Sequence, residues 1–272
     1  MRFGRLGAFA IFIVGFMAFQ VSAYADDDTW VGARSDNTYQ NNWQSAVSGH
    51  DNICGGFYSK MGTYTNVVQK GWFGLSYGTE FLEGSDDSTY GVDNHDFFMV
   101  CTHGGAWSNP DRFVQSMYYQ GYNIYSTDMR LGDDGRGLSL FASFSCDIMT
   151  PNSTTSTNMW NRWQSVFKGG LRIASGFMTS AYSGASMGYG TRYAEEMHVS
   201  GRTLAQAWNY VMDDYQYQTP TSMVTQYTCS NCNDYLYACG WRMNAMTSSN
   251  YKNYPKLVDS SVSTFCYYYV AP

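Results

Sequence analysis

The sequence predicts an α/β fold, a three-layer sandwich built around a mostly parallel β-sheet. Two short apolar runs have the length and composition of fully buried strands. The first is Phe97–Gly105, which ends in His-Gly-Gly. The second is Leu138–Cys146, which ends in a thiol. A predicted helix and a further predicted strand follow the second run, which is the order of a βαβ unit. In such sheets ligands bind at the carboxyl edge, where the histidine and the thiol are placed.

The elements before the first apolar run are predicted from composition and from glycine positions. Thr29–Arg34 is a first strand, and Gly71–Tyr77 is a second. Asn41–Met61 has mixed apolar positions that favour a helix, which Gly55-Gly56 is expected to interrupt. The acidic, glycine-containing segment Glu83–Asn94 is a loop.

The middle of the chain supplies the βαβ unit. Phe113–Met129 is either a helix or a pair of hairpin strands. After Cys146, a helix capped by Ser156 or Thr157 ends at Gly169-Gly170, and Leu171–Phe177 is the next strand. The thiol therefore lies between a strand and a helix, where a helix N-terminus lowers a thiol pKa.

The last third of the chain changes from helical to β patterning. Tyr189–His198 and Thr203–Tyr215 are predicted helices, whereas Ser222–Thr228, Asp234–Trp241 and Ser261–Val270 are predicted strands. We divide the mature chain into an α/β domain, residues 26–220, and a β-rich extension of the same domain, residues 221–272.

The N-terminus has the pattern of a signal peptide. Arg2 and Arg5 precede an apolar segment that is too short to span a bilayer, and Ala23-Tyr24-Ala25 precedes Asp26. We expect cleavage after residue 25 and a secreted or periplasmic protein with no membrane span. The net charge of −6 becomes −8 once the two arginines are removed. An acidic chain without a basic run argues against nucleic acid as a partner.

Seven cysteines are an odd number, so an exported chain keeps at least one free or pairs it with another chain. Cys146 is the expected free thiol. A disulfide between Cys101 and Cys146 would mask it, and the state of Cys54 is left open. Four C-terminal cysteines are the disulfide candidates, in a pairing that the sequence does not fix: Cys229, Cys232, Cys239 and Cys266.

His103 and Cys146 together suggest nucleophilic catalysis. A histidine beside a thiol can accept its proton, and the resulting thiolate is a strong nucleophile. The 43 residues between them suffice for the crossover between neighbouring parallel strands.

An apolar strand ending in His-Gly, followed by a second ending in Ser-Cys, resembles the caspase, gingipain and legumain group of cysteine peptidases. The resemblance covers about residues 93–180, and the Asp147 that follows the cysteine departs from the caspase signature. It implies the caspase–hemoglobinase fold, a dyad of His103 and Cys146, and an oxyanion hole formed by the backbone N–H groups of Gly104 and Cys146. It further implies a side-chain pocket formed by the loop after the Leu171 strand: Gly176, Phe177, Met178, Thr179 and Ser180.

The predicted function is therefore a secreted cysteine endopeptidase that acts on peptide or protein substrates through a thioester, without a metal or cofactor. One alternative is a catalytically silent binding module on the same fold. Another is a serine esterase using Ser186 in Gly-Ala-Ser-Met-Gly, with His198 as its base. Cys229–Cys232 with Cys239 resembles half of a zinc site, but export favours disulfides.

The remaining titratable residues are interpreted as structural or solvated. His50, His95 and His198 are expected on the surface, and His95 is placed at the end of its strand opposite His103. Acidic pairs such as Asp133-Asp134 are expected to be solvated turns rather than calcium ligands.

Overall fold

We analysed a computed structural model of the chain. It describes residues 28–42, 44–70, 75–83, 91–105, 112–118, 123–150, 157–183, 188–198, 201–213, 218–227, 239–259 and 262–269. The predicted signal peptide, residues 1–25, and Ser186 of the esterase alternative lie outside these ranges.

The described residues form a seven-stranded main sheet, a small three-stranded sheet and five α-helices. In chain order, the main-sheet strands are β1 (Thr29–Ser35), β2 (Val67–Gln69), β3 (Phe97–Cys101), β7 (Leu140–Phe144), β8 (Ile173–Phe177), β9 (Pro220–Tyr227) and β10 (Val262–Tyr269). The small sheet consists of β4 (Gly104–Gly105), β5 (Val114–Ser116) and β6 (Asn123–Tyr125). The helices are α1 (His50–Met61), α2 (Thr157–Phe167), α3 (Tyr189–His198), α4 (Leu204–Met212) and α5 (Cys239–Ala245).

The main sheet is mostly parallel, with the strand order β10-β9-β8-β7-β3-β1-β2. The five strands from β8 to β2 run parallel to one another, whereas β9 is antiparallel to both β8 and β10. The predicted α/β class is confirmed, and the C-terminal β segment extends the sheet beyond β8.

Both faces of the sheet are covered, which explains why its central strands are apolar throughout. On β3, the side chains of Phe97, Met99 and Cys101 pack into a core with α1, α3 and α4. Phe98 and Val100 alternate with them and face a second core that contains residues of α2. Each face of the sheet therefore has its own hydrophobic core.

Most of the predicted elements are confirmed, with small shifts at their ends. The strands β1, β3, β7, β8, β9 and β10 and the helices α2, α3 and α4 all fall within or next to the predicted segments. Phe113–Met129 contains a pair of antiparallel hairpin strands, β5 and β6, which was one of the two predictions for it.

The predicted interruption of the first helix is wrong, because α1 continues through Gly55-Gly56. A Cβ on Gly56 would lie 2.7 Å from the Thr191 hydroxyl of α3, and one on Gly190 would lie 1.7 Å from the Ile53 carbonyl. The glycines therefore allow α1 and α3 to cross closely. The glycine pair that the sequence analysis interpreted as a helix break instead serves the packing of the two helices.

Two strand predictions are also wrong where they can be compared. Residues 239–241 of the predicted strand Asp234–Trp241 begin α5, and residues 234–238 lie outside the described part. In Gly71–Tyr77, the described residues 75–77 are not strand. The parallel edge strand of this region is instead β2, a short segment that was not predicted.

One disulfide is defined at both ends. Cys54 of α1 is bonded to Cys101 at the end of β3. This pairing answers the open question about Cys54 and excludes a Cys101–Cys146 disulfide in this structure. Cys266 is also disulfide-bonded, as predicted. Cys229 and Cys232 lie outside the described residues, as does the Cys239 side chain.

None of the helices in the described part of the chain is long and apolar enough to cross a membrane.

Removing the Cys54–Cys101 disulfide should lower the free energy of unfolding by roughly 4 kcal/mol, because the bond closes a long loop, with a sequence separation of 47 residues, in the unfolded chain. Urea denaturation of the Cys54→Ala/Cys101→Ala protein measures this loss. Cys146→Ala, which removes a thiol but no cross-link, is the matched control. Equal stabilities for the double variant and the wild type would show that the bond is not formed in solution.

Candidate active site

The register of the sheet places His103 and Cys146 directly after the ends of two neighbouring strands. β3 pairs with β7 in parallel, and Cys101 is the partner of Phe144. His103 and Cys146 each follow these partners by two residues, so they leave the sheet at the same level. Neighbouring strands lie about 4.8 Å apart, which sets the scale of the separation between the two backbones here.

Gly104 gives independent evidence for this close approach. A Cβ at this position would lie 2.7 Å from the Ser145 Cβ and 3.0 Å from the Cys146 carbonyl oxygen. Only a glycine lets the chain after His103 pass this close to the end of β7. Gly104 then pairs with Gln115 of β5, so the chain turns away from the main sheet directly after the histidine.

The His103 ring is held in a defined tautomer. Its Nε2 lies 2.8 Å from the Ser45 carbonyl oxygen. A carbonyl can only accept, so Nε2 carries the hydrogen, and Nδ1 of the neutral ring is the lone-pair nitrogen. A base whose second nitrogen is oriented by a third group is the arrangement expected of a catalytic histidine.

Tyr39 holds His103 from another side. Its hydroxyl accepts the His103 backbone N–H at 2.8 Å, and its ring stacks on the imidazole with centroids 5.4 Å apart. The same hydroxyl lies 3.0 Å from the Thr102 hydroxyl. Burial is the main reason why the pKa of Tyr39 is raised, so this hydroxyl stays neutral.

Cys146 is a free, half-buried thiol. The Ala181 backbone N–H donates a hydrogen bond to its sulfur at 3.3 Å. Burial raises the pKa of the thiol despite this bond, and the neighbouring Asp147 raises it further. In the geometry of this structure the thiol is therefore neutral at physiological pH and is not a preformed thiolate.

The segment predicted to form a substrate pocket divides into two parts. Gly176 and Phe177 belong to β8 and are buried, and the Phe177 ring packs between Phe144 and Trp208. Both residues are therefore part of the core and do not line a pocket. Met178 and Thr179 are half-buried and Ser180 is exposed, which leaves these three residues at the surface near the thiol.

Backbone bonds hold this segment against the residues after Cys146. The Asp147 N–H donates to the Thr179 carbonyl at 3.0 Å, and the Met149 N–H donates to the Phe177 carbonyl at 3.0 Å. Asp147 has a φ of 56°, in the left-handed region. The chain thus turns sharply after the thiol and runs back beside the β8 loop.

Asp36 and His50 are two buried polar residues beside the site that the sequence analysis did not assign to it. Asp36 follows β1 and accepts hydrogen bonds from the side chain and the backbone N–H of Ser76. His50 begins α1, and its Nδ1 lies 3.0 Å from the Asp36 carbonyl oxygen. Its ring meets the His103 ring edge-on at a centroid distance of 6.5 Å. Their sequence neighbourhoods are polar, so neither was recognisable as buried.

The prediction that His50 and His95 lie on the surface is wrong. They are 4% and 2% exposed, and burial lowers the pKa of each to about 4. His50 packs on Phe144 across the end of the sheet, whereas His95 packs on Phe98 before β3 begins. His198 is half-buried and stacks on Tyr64 with centroids 4.2 Å apart. The prediction that His95 and His103 lie at opposite ends of one strand agrees with the structure, in which His95 precedes β3 and His103 follows it.

Within the described ranges, no cluster of three histidine, cysteine or acidic side chains could hold a metal ion. The groups gathered at this edge of the sheet are a thiol, two imidazoles, a carboxyl and backbone N–H groups.

Asp36 gives a pH-dependent test of this polar network. Burial raises the pKa of its carboxyl from 3.8 to about 7. The folded chain therefore holds this proton more tightly than the unfolded chain, and the associated stability is present below about pH 4 and is lost as the pH rises to about 7. As the pH rises from 4 to 8, the free energy of unfolding of Asp36→Asn should therefore increase relative to that of wild type by roughly 3–4 kcal/mol.

Denaturant unfolding of both proteins at each pH measures this difference. His50 and His95 contribute stability of the opposite pH dependence, but they are present in both chains and cancel in the comparison. A constant difference between Asp36→Asn and wild type would show that Asp36 ionises normally in the folded protein.

Comparison with known proteins identifies a family but no activity. None of the curated proteins matches the chain. Residues 30–255 match the family described as a domain of unknown function (DUF6345), a range that begins at the second residue of β1 and includes both His103 and Cys146. Since the match covers most of the sequence, the chain belongs to the DUF6345 family.

Proposed function

We propose that the protein is a secreted cysteine endopeptidase with Cys146 as nucleophile and His103 as general base. The observation that carries this proposal is that a free thiol and a histidine whose Nε2 is bound to the Ser45 carbonyl follow the ends of two neighbouring strands. The register of β3 and β7 brings both residues to one sheet edge. The only disulfide with both ends described joins two other cysteines and leaves this thiol available.

The neutral thiol determines the order of the chemical steps. His103 Nδ1 removes the thiol proton as the sulfur attacks the scissile carbonyl carbon, in the manner of a serine–histidine pair. The resulting imidazolium returns the proton to the leaving amine, which departs as the thioester forms. Water, deprotonated by the same ring, then attacks the thioester and releases the acid and the thiol.

The backbone around the thiol supplies candidates for oxyanion stabilisation. Gly104 lies against the carbonyl of Cys146. The backbone amides directly after His103 and those at the start of the turn after β7 are therefore close to one another. We assign the N–H groups of Gly104 and Cys146 to the oxyanion hole, because donors fixed by the sheet need no reorganisation when charge develops.

The fold supports a caspase–hemoglobinase-like assignment as part of the proposal. Its mostly parallel sheet has the thiol strand β7 between the histidine strand β3 and the strand β8. In this assignment Met178, Thr179 and Ser180 contact the substrate side chain. Export through residues 1–25 and the C-terminal cysteine-containing extension complete the proposed organisation of the chain.

One observation favours a second candidate, a catalytically silent binding module on the same fold. The pKa of the Cys146 thiol is raised by burial, whereas an activated cysteine of the ion-pair type has a lowered pKa. The general-base mechanism above is compatible with a raised thiol pKa, so activity separates the two candidates.

A fluorogenic peptide library with varied residues before the cleaved bond tests the proposal. Wild type should hydrolyse at least one peptide class, and Cys146→Ala should lose about 10³-fold or more of that activity, because the attacking atom is removed. Ser183→Ala, a substitution of similar size in the loop that contacts the site, is the matched control and should retain activity.

Retention of the hydrolytic activity in Cys146→Ala would contradict the proposal. Loss in Ser186→Ala together with retention in Cys146→Ala would instead identify the serine esterase. A wild type that hydrolyses none of the peptides, while the Cys146 thiol is present by mass and by thiol titration, would favour the binding module.

A further inference from the structure

The opposite edge of the main sheet contains a concentration of positive charge that the proposed peptidase site does not use. A cavity of about 310 Å³ opens at the amino ends of β3, β7 and β8. The residues that line it are Asp96, Arg136, Gly137, Ser139, Arg172, Lys252 and Lys256. Four cations and one carboxylate thus surround one cavity in a chain whose net charge is −6.

Arg172 is the buried member of this set, with 9% of its surface exposed. Its Nε donates to the Tyr254 carbonyl at 2.7 Å, and its Nη1 donates to the Ser139 hydroxyl at 2.5 Å. Both partners are neutral, and no carboxylate of the described chain lies within ion-pair distance of the guanidinium. Burying a charge without a counter-ion is costly, even when its donors are hydrogen-bonded.

Lys256 is half-buried and is in the same situation. Its Nζ donates to the Gly132 carbonyl at 2.5 Å, which uses one of three N–H donors. It too has no ion pair with a carboxylate in the ranges that the structure describes. Burial and the charge of Arg172 lower the pKa of Lys256, whereas the charges of Asp93, Asp96 and Asp133, none of which forms an ion pair with it, raise that pKa.

The nearest carboxylates already have other partners. Asp96 accepts from Arg136 Nε at 3.2 Å and from the Trp30 backbone N–H at 2.9 Å. Asp93 is fully buried and accepts the Gly132 N–H with both oxygens, at 2.8 and 2.9 Å. Neither residue neutralises Arg172 or Lys256 by direct contact.

We propose that this cavity, which we call the cationic cavity, binds an oxyanion group, phosphate or carboxylate, of a small molecule between Arg172 and Lys256. An anion there would supply a counter-charge in direct contact with both side chains, on which the nearby carboxylates act only from beyond ion-pair distance. The remaining Nη2 of Arg172 and the remaining donors of Lys256 suit the oxygens of such a group. The volume exceeds that of a single phosphate, which leaves room for an organic portion of the ligand.

Isothermal titration calorimetry of the full mature chain with inorganic phosphate and, separately, with succinate tests the proposal at constant ionic strength set by sodium chloride. At least one of the two should bind saturably at one site per chain. Binding of phosphate alone identifies a phosphate-type ligand, and binding of succinate alone identifies a carboxylate-type ligand.

Two variants locate the site. Lys256→Gln removes one cation from the cationic cavity and should weaken binding by roughly 10- to 100-fold. Lys60→Gln makes the same charge change on α1 and should leave binding unaltered. Arg172→Gln should also weaken binding, and the half-exposed Lys256 keeps the test decisive if the buried Arg172 variant fails to fold.

Absence of saturable binding of both anions to wild type would overturn the proposal. So would equal affinities of wild type and Lys256→Gln, provided that circular dichroism shows the variant to be folded. The proposal is independent of the peptidase assignment, because the cationic cavity and Cys146 lie at opposite ends of β7 and the binding assay does not involve the thiol.

Discussion

The parallel pairing of β3 with β7 is the constraint on which the rest of the candidate site depends. Both strands are completely buried, and their side chains alternate between two separate hydrophobic cores. A slip of one residue would exchange every side chain of β3 between these cores, so the register is strongly specified. The same register fixes His103 and Cys146 at one level and directs Cys101 towards Cys54. One packing requirement thus sets the position of the base, the nucleophile and the disulfide.

The two edges of the sheet differ in their chemistry. The carboxyl edge contains buried polar groups held by hydrogen bonds, including the raised-pKa carboxyl of Asp36 and the lowered-pKa imidazole of His50. Burying titratable groups is costly for stability, and groups with shifted pKa values cluster at functional sites. The amino edge contains cations with neutral partners. At both edges, buried polar or charged side chains are present where apolar residues would be more stable, which suggests that both edges are functional sites.

The sequence predicted those elements whose signals are local. The apolar runs of β3 and β7 and the stop at Gly169-Gly170 are each visible within about ten residues, and they place His103 and Cys146 correctly at one edge. Tyr39, Ser45 and His50 were not predicted, because their roles come from contacts with residues far away in the chain and, for Ser45, from a backbone carbonyl. Gly55-Gly56 misled the helix prediction, since a glycine that allows helix crossing has the same local pattern as one that ends a helix.

The central claim is that His103 acts as the base for Cys146, and the rate of Cys146 alkylation by iodoacetamide between pH 6 and 10.5 tests it most directly. In wild type the imidazole assists thiol deprotonation, so near pH 7.5 the wild-type rate should exceed that of His103→Ala by about tenfold or more. Towards pH 10.5 the two rates should converge, because hydroxide then forms the thiolate without the base. Identical profiles for the two proteins over the whole range would contradict the account.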